Sequence, residues 1–248
     1  YRISSPLSRA IIVFGVNSIT RRMAETLPES GFENYQIIDF APLRNAAFFH
    51  ADGSLNATKW PVQLAQPLSY SDWIANLAAE EIAFLIAACD FGGTGALRQW
   101  NEFAVKNEIP YFPILLQNLI GFVGPSVFPG ETPCLECARG RLNANQNDFQ
   151  IREIADSFAQ GGEFVNGFLP PLGSVLGDIA VVELIRNLAE PFGKRMFGRM
   201  IEVNLLRGQM DNHKVLKLPR CRVCSGMNQQ PQNSVDKTAY MPVKNFNR

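Results

Sequence analysis

The feature that most restricts how this chain can fold is a pair of short cysteine motifs set far apart. Cys134 and Cys137 form one CxxC, and Cys221 and Cys224 form the other. Each CxxC can present two thiolates to one metal, and two such pairs complete a tetrahedral four-sulfur shell. The stretch from Cys137 to Cys221 is far longer than a zinc ribbon uses. A metal on all four would therefore clip remote segments together, not organise a miniature domain. Four protein thiolates leave no position for water, so such a zinc would be structural. The competing reading is two independent redox or buried pairs. The fifth cysteine, Cys89, follows Ala87 and Ala88 in an apolar run and reads as core.

The pattern between and before these motifs is alternating. Ala10–Val16 is an apolar run that reads as a buried strand, Ser18–Leu27 as a helix, and Tyr35–Asp39 as a second strand ending on an acid. A helix is expected over Asp72–Glu81 and a strand over Ile82–Ala88, ending at Asp90. Gly92, Gly93 and Gly95 mark a turn, followed by a helix over Ala96–Asn107 and strands over Tyr111–Leu116 and Phe122–Phe128. Ala138–Asn145 and Pro170–Leu188 read as helices. Met200–Arg207 and Lys214–Leu218 read as a hairpin around Gly208–Asn212. Gln146–Gly162 is polar, and Ser225–Arg248 is rich in Gln, Asn and Pro and reads as an irregular tail.

Strands alternating with helices imply an α/β, Rossmann-like, mostly parallel sheet flanked by helices. Here the cysteine site and a C-terminal hairpin are added to it. The expected organisation is one domain over 1–225 and a tail over 226–248. Ligands in such folds sit at the carboxyl ends of strands, which is where Gly15, Asp39 and Asp90 would lie.

Charge excludes one class of partner. Lys plus Arg equals Asp plus Glu at 23 each, whereas binding that works by phosphate neutralisation calls for a basic excess. No nucleic-acid partner is expected. No apolar run reaches the roughly 18 residues needed to span a bilayer, so no membrane partner is expected either. Ala10–Val16 is too short, and lacks the cleavage site, to be a signal peptide. The expected location is the cytoplasm. The chain begins at Tyr1, not Met, which points to a further upstream segment.

The first strand–helix turn argues against itself as a phosphate cradle. Such loops use glycines so that backbone N–H groups can approach the anion. Here the run is Gly15, Val16, Asn17, Ser18, Ile19, Thr20, and only the first glycine is present. Asn17, Ser18 and Thr20 would crowd a phosphate. A plain turn with Asn17 or Ser18 as N-cap explains the residues equally. Asp39 could hold a ribose and Asp90 a magnesium ion, or both could cap the turns that follow. His50 and His213 have no partner in a recognisable nucleophile motif and read as surface or structural residues.

These residues, together with the segments IPYFPILLQNLIGFVGPSVFPGETPCLEC, PPLGSVLGDIAVVELIRNL and PRCRVC, resemble the ThiF/MoeB family, the ubiquitin-activating-enzyme-like adenylating fold, over about residues 9 to 225. VFPGETPCLECARGRLNAN is similar to a narrower branch, the ThiF-like proteins of thiazole/oxazole-modified peptide biosynthesis that partner a cyclodehydratase or bind leader peptides. The resemblance implies a structural zinc on Cys134, Cys137, Cys221 and Cys224 and an assembly, as a homodimer or with a cyclodehydratase subunit and a precursor peptide. It also implies a winged-helix module upstream, carried on the same polypeptide or supplied by a partner chain. In catalytic members ATP and magnesium are held by a glycine turn, a ribose acid, an Asn and Arg, a Lys and a metal-binding Asp. Gly15, Asp39 and Asp90 match the first, second and last. By spacing, the Asn and Arg places fall at Ala47 and His50, Lys59 lies only near the Lys place, and Arg98 and Asn101 sit one residue short. No cysteine lies between Cys137 and Cys221, so thioester chemistry is not expected. The residues thus imply either a partner that presents precursor peptide without turning over ATP, or an adenylyltransferase that activates a peptide or carrier-protein carboxylate.

Overall fold

The computed structural model describes residues 9–76, 79–117, 119–144, 170–188 and 198–225. All of the expected polar stretch 146–162 and all but the first residue of the expected tail lie outside them.

Among the described residues an eight-stranded sheet runs in the order β3-β2-β1-β4-β5-β6-β7-β8. Its strands are β1 (Ala10–Phe14), β2 (Tyr35–Asp39), β3 (Leu68–Ser69), β4 (Ile82–Cys89), β5 (Tyr111–Gln117), β6 (Ile120–Val123), β7 (Arg199–Asn204) and β8 (Gln209–Lys214). The first five are parallel, and β6, β7 and β8 continue antiparallel. The helices are α1 (Ser18–Glu29), α2 (Tyr70–Ala75), α3 (Thr94–Lys106), α4 (Leu135–Ala144) and α5 (Pro170–Leu188).

The near-continuous apolar strands have a direct cause: both faces of the sheet are covered, so alternate residues must all be buried. Ile11, Val13, Phe84, Ile86 and Ile114 face one layer, packed with Ile19, Met23 and Leu27 of α1 and Leu176, Ala180 and Leu184 of α5. Ile12, Phe14, Leu85, Ala87 and Tyr111 face the other, packed with Leu97, Trp100 and Ala104 of α3 and Ala138 of α4. Trp100 stacks on Phe14 with ring centroids 3.8 Å apart. Helices α1 and α5 approach closely because Gly173 and Gly177 face Ser18, Ile19 and Arg22; a Cβ on Gly173 would stand 1.9 Å from Ser18 Oγ.

Several boundaries differ from expectation. The helix expected over Asp72–Glu81 is the shorter α2, capped by the Ser69 hydroxyl, which accepts the Asp72 N–H. Strand β6 is Ile120–Val123, not Phe122–Phe128: Gly124 adopts φ +94° and Pro125 has no N–H to donate. Helix α4 starts inside the first cysteine motif, at Leu135. The hairpin turns tightly between Asn204 and Gln209, so β8 is Gln209–Lys214 and not Lys214–Leu218. Its polar, exposed sequence carries no apolar alternation to announce a strand.

Candidate functional site

The parallel sheet reverses direction of growth at β1, with β2 on one side and β4 on the other. Gly15 follows β1 and Asp90 follows β4, so both stand at the crevice where such sheets bind ligands. Gly15 is a glycine for steric reasons. Its φ is +117°, and a Cβ there would lie 2.7 Å from the Ala88 carbonyl.

At that crevice the N-terminus of α1 is satisfied from within. Asn17 is the N-cap: its Oδ1 accepts the Ile19 and Thr20 N–H groups, each at 3.1 Å, and its own N–H donates to Thr20 Oγ1. The Arg21 N–H goes to the Asn17 carbonyl. The remaining donor, the Ser18 N–H, goes to Asp90 Oδ2 at 3.1 Å, and the Ser18 hydroxyl donates to the same oxygen at 2.8 Å. All four donors that a helix start leaves open are thereby used. The Asn17 amide is committed as well, donating to the Leu43 and Ala88 carbonyls.

Asp90 is 5% exposed and takes a third donor, Asn45 Nδ2 at 2.8 Å. Asp39 is engaged two-pronged by Arg44, whose Nε and Nη2 lie 2.5 and 2.7 Å from its carboxylate oxygens. Arg44 and Asn45 were not among the residues singled out from sequence. They stand ahead of Ala47 and His50, the places that spacing from Asp39 suggests, and in reversed order. Lys59 and His50 are exposed. A triphosphate needs open N–H groups at the helix start and a metal-binding carboxylate with free oxygens. The residues here do not fit that group: the donors are occupied, and one oxygen of Asp90 already accepts three hydrogen bonds.

Arg98 and Asn101 are turned elsewhere. Arg98 Nε donates to Glu136 Oε1 at 2.7 Å, and Asn101 Oδ1 accepts the Leu135 N–H at 3.0 Å. Both therefore hold the first cysteine motif, not the crevice.

The two cysteine motifs meet although they are remote in sequence. Thr132 and the turn before it deliver Cys134 to the start of α4, and the chain returns after β8 to place Cys221 and Cys224 opposite. The four sulfurs lie within 4.8 Å of one another. Sγ–Sγ separations are 3.9 Å for Cys134–Cys137, 3.6 Å for Cys134–Cys221 and 3.4 Å for Cys137–Cys224. A zinc–sulfur bond of about 2.3 Å sets a tetrahedron edge of ~3.8 Å, so these residues fit the ion. The sulfurs are far beyond disulfide length, and none of the four cysteines forms a disulfide. Hydrogen bonds from Cys134 and Cys224, and one from the Leu218 N–H at 3.4 Å, pull the Cys137 thiol down toward thiolate. Cys134 is pushed up by its hydrogen bonds to Cys137 and Cys224 and by burial. Cys89 is 1% exposed, as expected of a core residue, and donates to the Gly92 carbonyl. His213 pairs across the hairpin with Glu202 at the surface. No described helix is long and apolar enough to cross a membrane.

No family profile and no curated protein matches the chain. Solved structures do. E. coli MccB shares 16% identity at a TM-score of 0.63, over 88% of this chain and 66% of that one. The heterocyclase TruD shares 17% at 0.56, over 88% of this chain and 28% of TruD. A heterocyclase in complex with substrate and cofactor shares 13% at 0.56, over 88% and 25%. MccB has been captured with ATP and with MccA. The likeness establishes the fold, and the resemblance to ThiF/MoeB-type proteins holds at that level. The chain spans about two thirds of MccB and about a quarter of the heterocyclases.

Proposed function

We propose that this chain is a ThiF-like partner protein in the modification of ribosomally made peptides. It binds or presents a precursor peptide to a separate cyclodehydratase that forms azolines from Cys, Ser or Thr, and does not itself turn over ATP. One observation carries the reading: within a fold shared with heterocyclases and MccB, Asp90 caps α1 where a nucleotide phosphate would otherwise find its donors. Gly15, Asp39 and Asp90 are then the remains of a nucleotide site. Cys134, Cys137, Cys221 and Cys224 hold a structural zinc, which supplies no reaction chemistry and fixes two remote segments. The working unit covers residues 1–225, acts in the cytoplasm, and assembles as a homodimer or with the cyclodehydratase subunit.

Calorimetric titration with Mg·ATP, alongside ATP–pyrophosphate exchange with and without candidate precursor peptides, tests this. The expected result is no binding heat and no exchange, with fluorescence anisotropy reporting peptide binding. Micromolar Mg·ATP binding with pyrophosphate release would overturn it in favour of a second reading, an adenylyltransferase acting on a peptide or carrier-protein carboxylate. That second reading is favoured by the fold shared with MccB, which binds ATP.

A further inference from the structure

Glu136 lies inside the first cysteine motif, and Arg222 lies inside the second. Arg222 Nη2 stands 3.2 Å from Glu136 Oε2, while Arg98 of α3 holds Oε1 at 2.7 Å and Arg139 approaches to 3.7 Å. The Glu136 side chain is only 12% exposed. The two motifs are thus joined by an ion pair that owes nothing to a metal.

We infer that Arg222 and Arg98, acting through Glu136, are positioning residues of the four-thiol site, holding the two motifs in register for zinc. The inference rests on the reading that the site binds zinc. Its physical basis is charge and geometry together. A divalent ion on four thiolates carries a net charge of about −2, and Glu136 adds a further negative charge beside it. Without neighbouring cations that arrangement would repel itself. The guanidinium groups offset this, and their planar forks fix the carboxylate more closely than a point charge could. Asn101, three residues after Arg98 on α3, fixes the other side of the same motif through the Leu135 N–H. Arg98 and Asn101, which by sequence resemble nucleotide-site residues, here support the metal motif.

Outer partners of this kind commonly change metal retention about 10–100-fold. The full chain is loaded with zinc, its content is confirmed by elemental analysis, and release to a chromophoric chelator is timed. Arg222→Gln and Arg98→Gln are each expected to release zinc about tenfold faster than wild type, with Arg222→Lys between. In a Glu136→Gln background, Arg222→Gln is expected to add less than about twofold, since the residue acts through the carboxylate. Release from wild type accelerates with added salt, and release from Arg222→Gln responds less. Variants that release zinc at the wild-type rate overturn the inference. So does an Arg222→Gln effect of equal size in both backgrounds, which would mean a general charge effect. A wild-type chain that takes up no zinc overturns this inference and the zinc reading together. A chain that takes up zinc but releases it unchanged from the variants overturns this inference alone.

Discussion

Asp90 and Ser18 lie on different strand–helix turns, yet one oxygen of the Asp90 carboxylate accepts both the backbone N–H and the hydroxyl of Ser18, at 3.1 and 2.8 Å. An anion at a helix N-terminus is stabilised by the helix dipole and by the open N–H groups. Here the anion is the protein's own.

The first prediction follows from that pair. Asp90→Ala strips an acceptor from three buried donors, on Ser18 and Asn45. Denaturant unfolding is expected to show a loss of about 3 kcal/mol. A change below about 0.5 kcal/mol would show that the network carries no stability.

The contact of α1 with α5 gives a second. Replacing glycine with alanine inside a helix ordinarily stabilises it by about 0.5–1 kcal/mol. At Gly173 the new Cβ would meet Ser18 Oγ at 1.9 Å, and at Gly177 the Ile19 carbonyl at 2.9 Å. Gly173→Ala and Gly177→Ala are therefore expected to destabilise, by about 1–3 kcal/mol. Urea midpoints that rise instead would refute the close approach.

Thiol accessibility supplies a third. Burial, together with the neighbouring Asp90 charge, pushes the Cys89 thiol up, so it stays protonated and unreactive. In zinc-loaded protein at about pH 8 a disulfide reagent should label slowly or not at all. Removal of the metal should open the sites at Cys134, Cys137, Cys221 and Cys224, with Cys89 labelled only on unfolding. Rapid labelling of Cys89 in the native state would contradict its place in the core.

Alkaline pH supplies the fourth. Burial also pushes up the Tyr111 hydroxyl, which donates to the Leu97 carbonyl at 2.8 Å. Both groups have folded pKa values above the unfolded ones, about 8.5 for Cys and 10 for Tyr. Folding therefore favours the protonated forms. Stability is intact below those unfolded values and falls as pH rises past them. Zinc-loaded protein should lose stability between about pH 8 and 11, and Cys89→Ala with Tyr111→Phe should flatten the decline. An equally steep decline in the double variant would place its cause elsewhere.

What could be read from sequence divides along physical lines. Strands β1 and β4 were legible because burial on both faces leaves an unbroken apolar run. The meeting of Cys134 and Cys137 with Cys221 and Cys224 was legible because four thiolates have one common use. Strand β8 was not, since an exposed edge strand needs no apolar residues. Nor were Arg44 and Asn45. Their roles depend on where the loop after β2 carries them, to Asp39 and to Asp90, and that path is set by tertiary packing. Arg98 and Asn101 mislead in isolation, because the turn at Gly93, with φ +69°, and the course of α3 aim them at the cysteine motif.

The wide separation of the two cysteine motifs also orders events in time. During synthesis the half-site at Cys134 and Cys137 emerges long before Cys221 and Cys224, after most of the sheet has already been made. A lone CxxC grips an ion weakly compared with the full set. Zinc would therefore be captured last, as a seal on a nearly finished domain and not as the seed around which it grows.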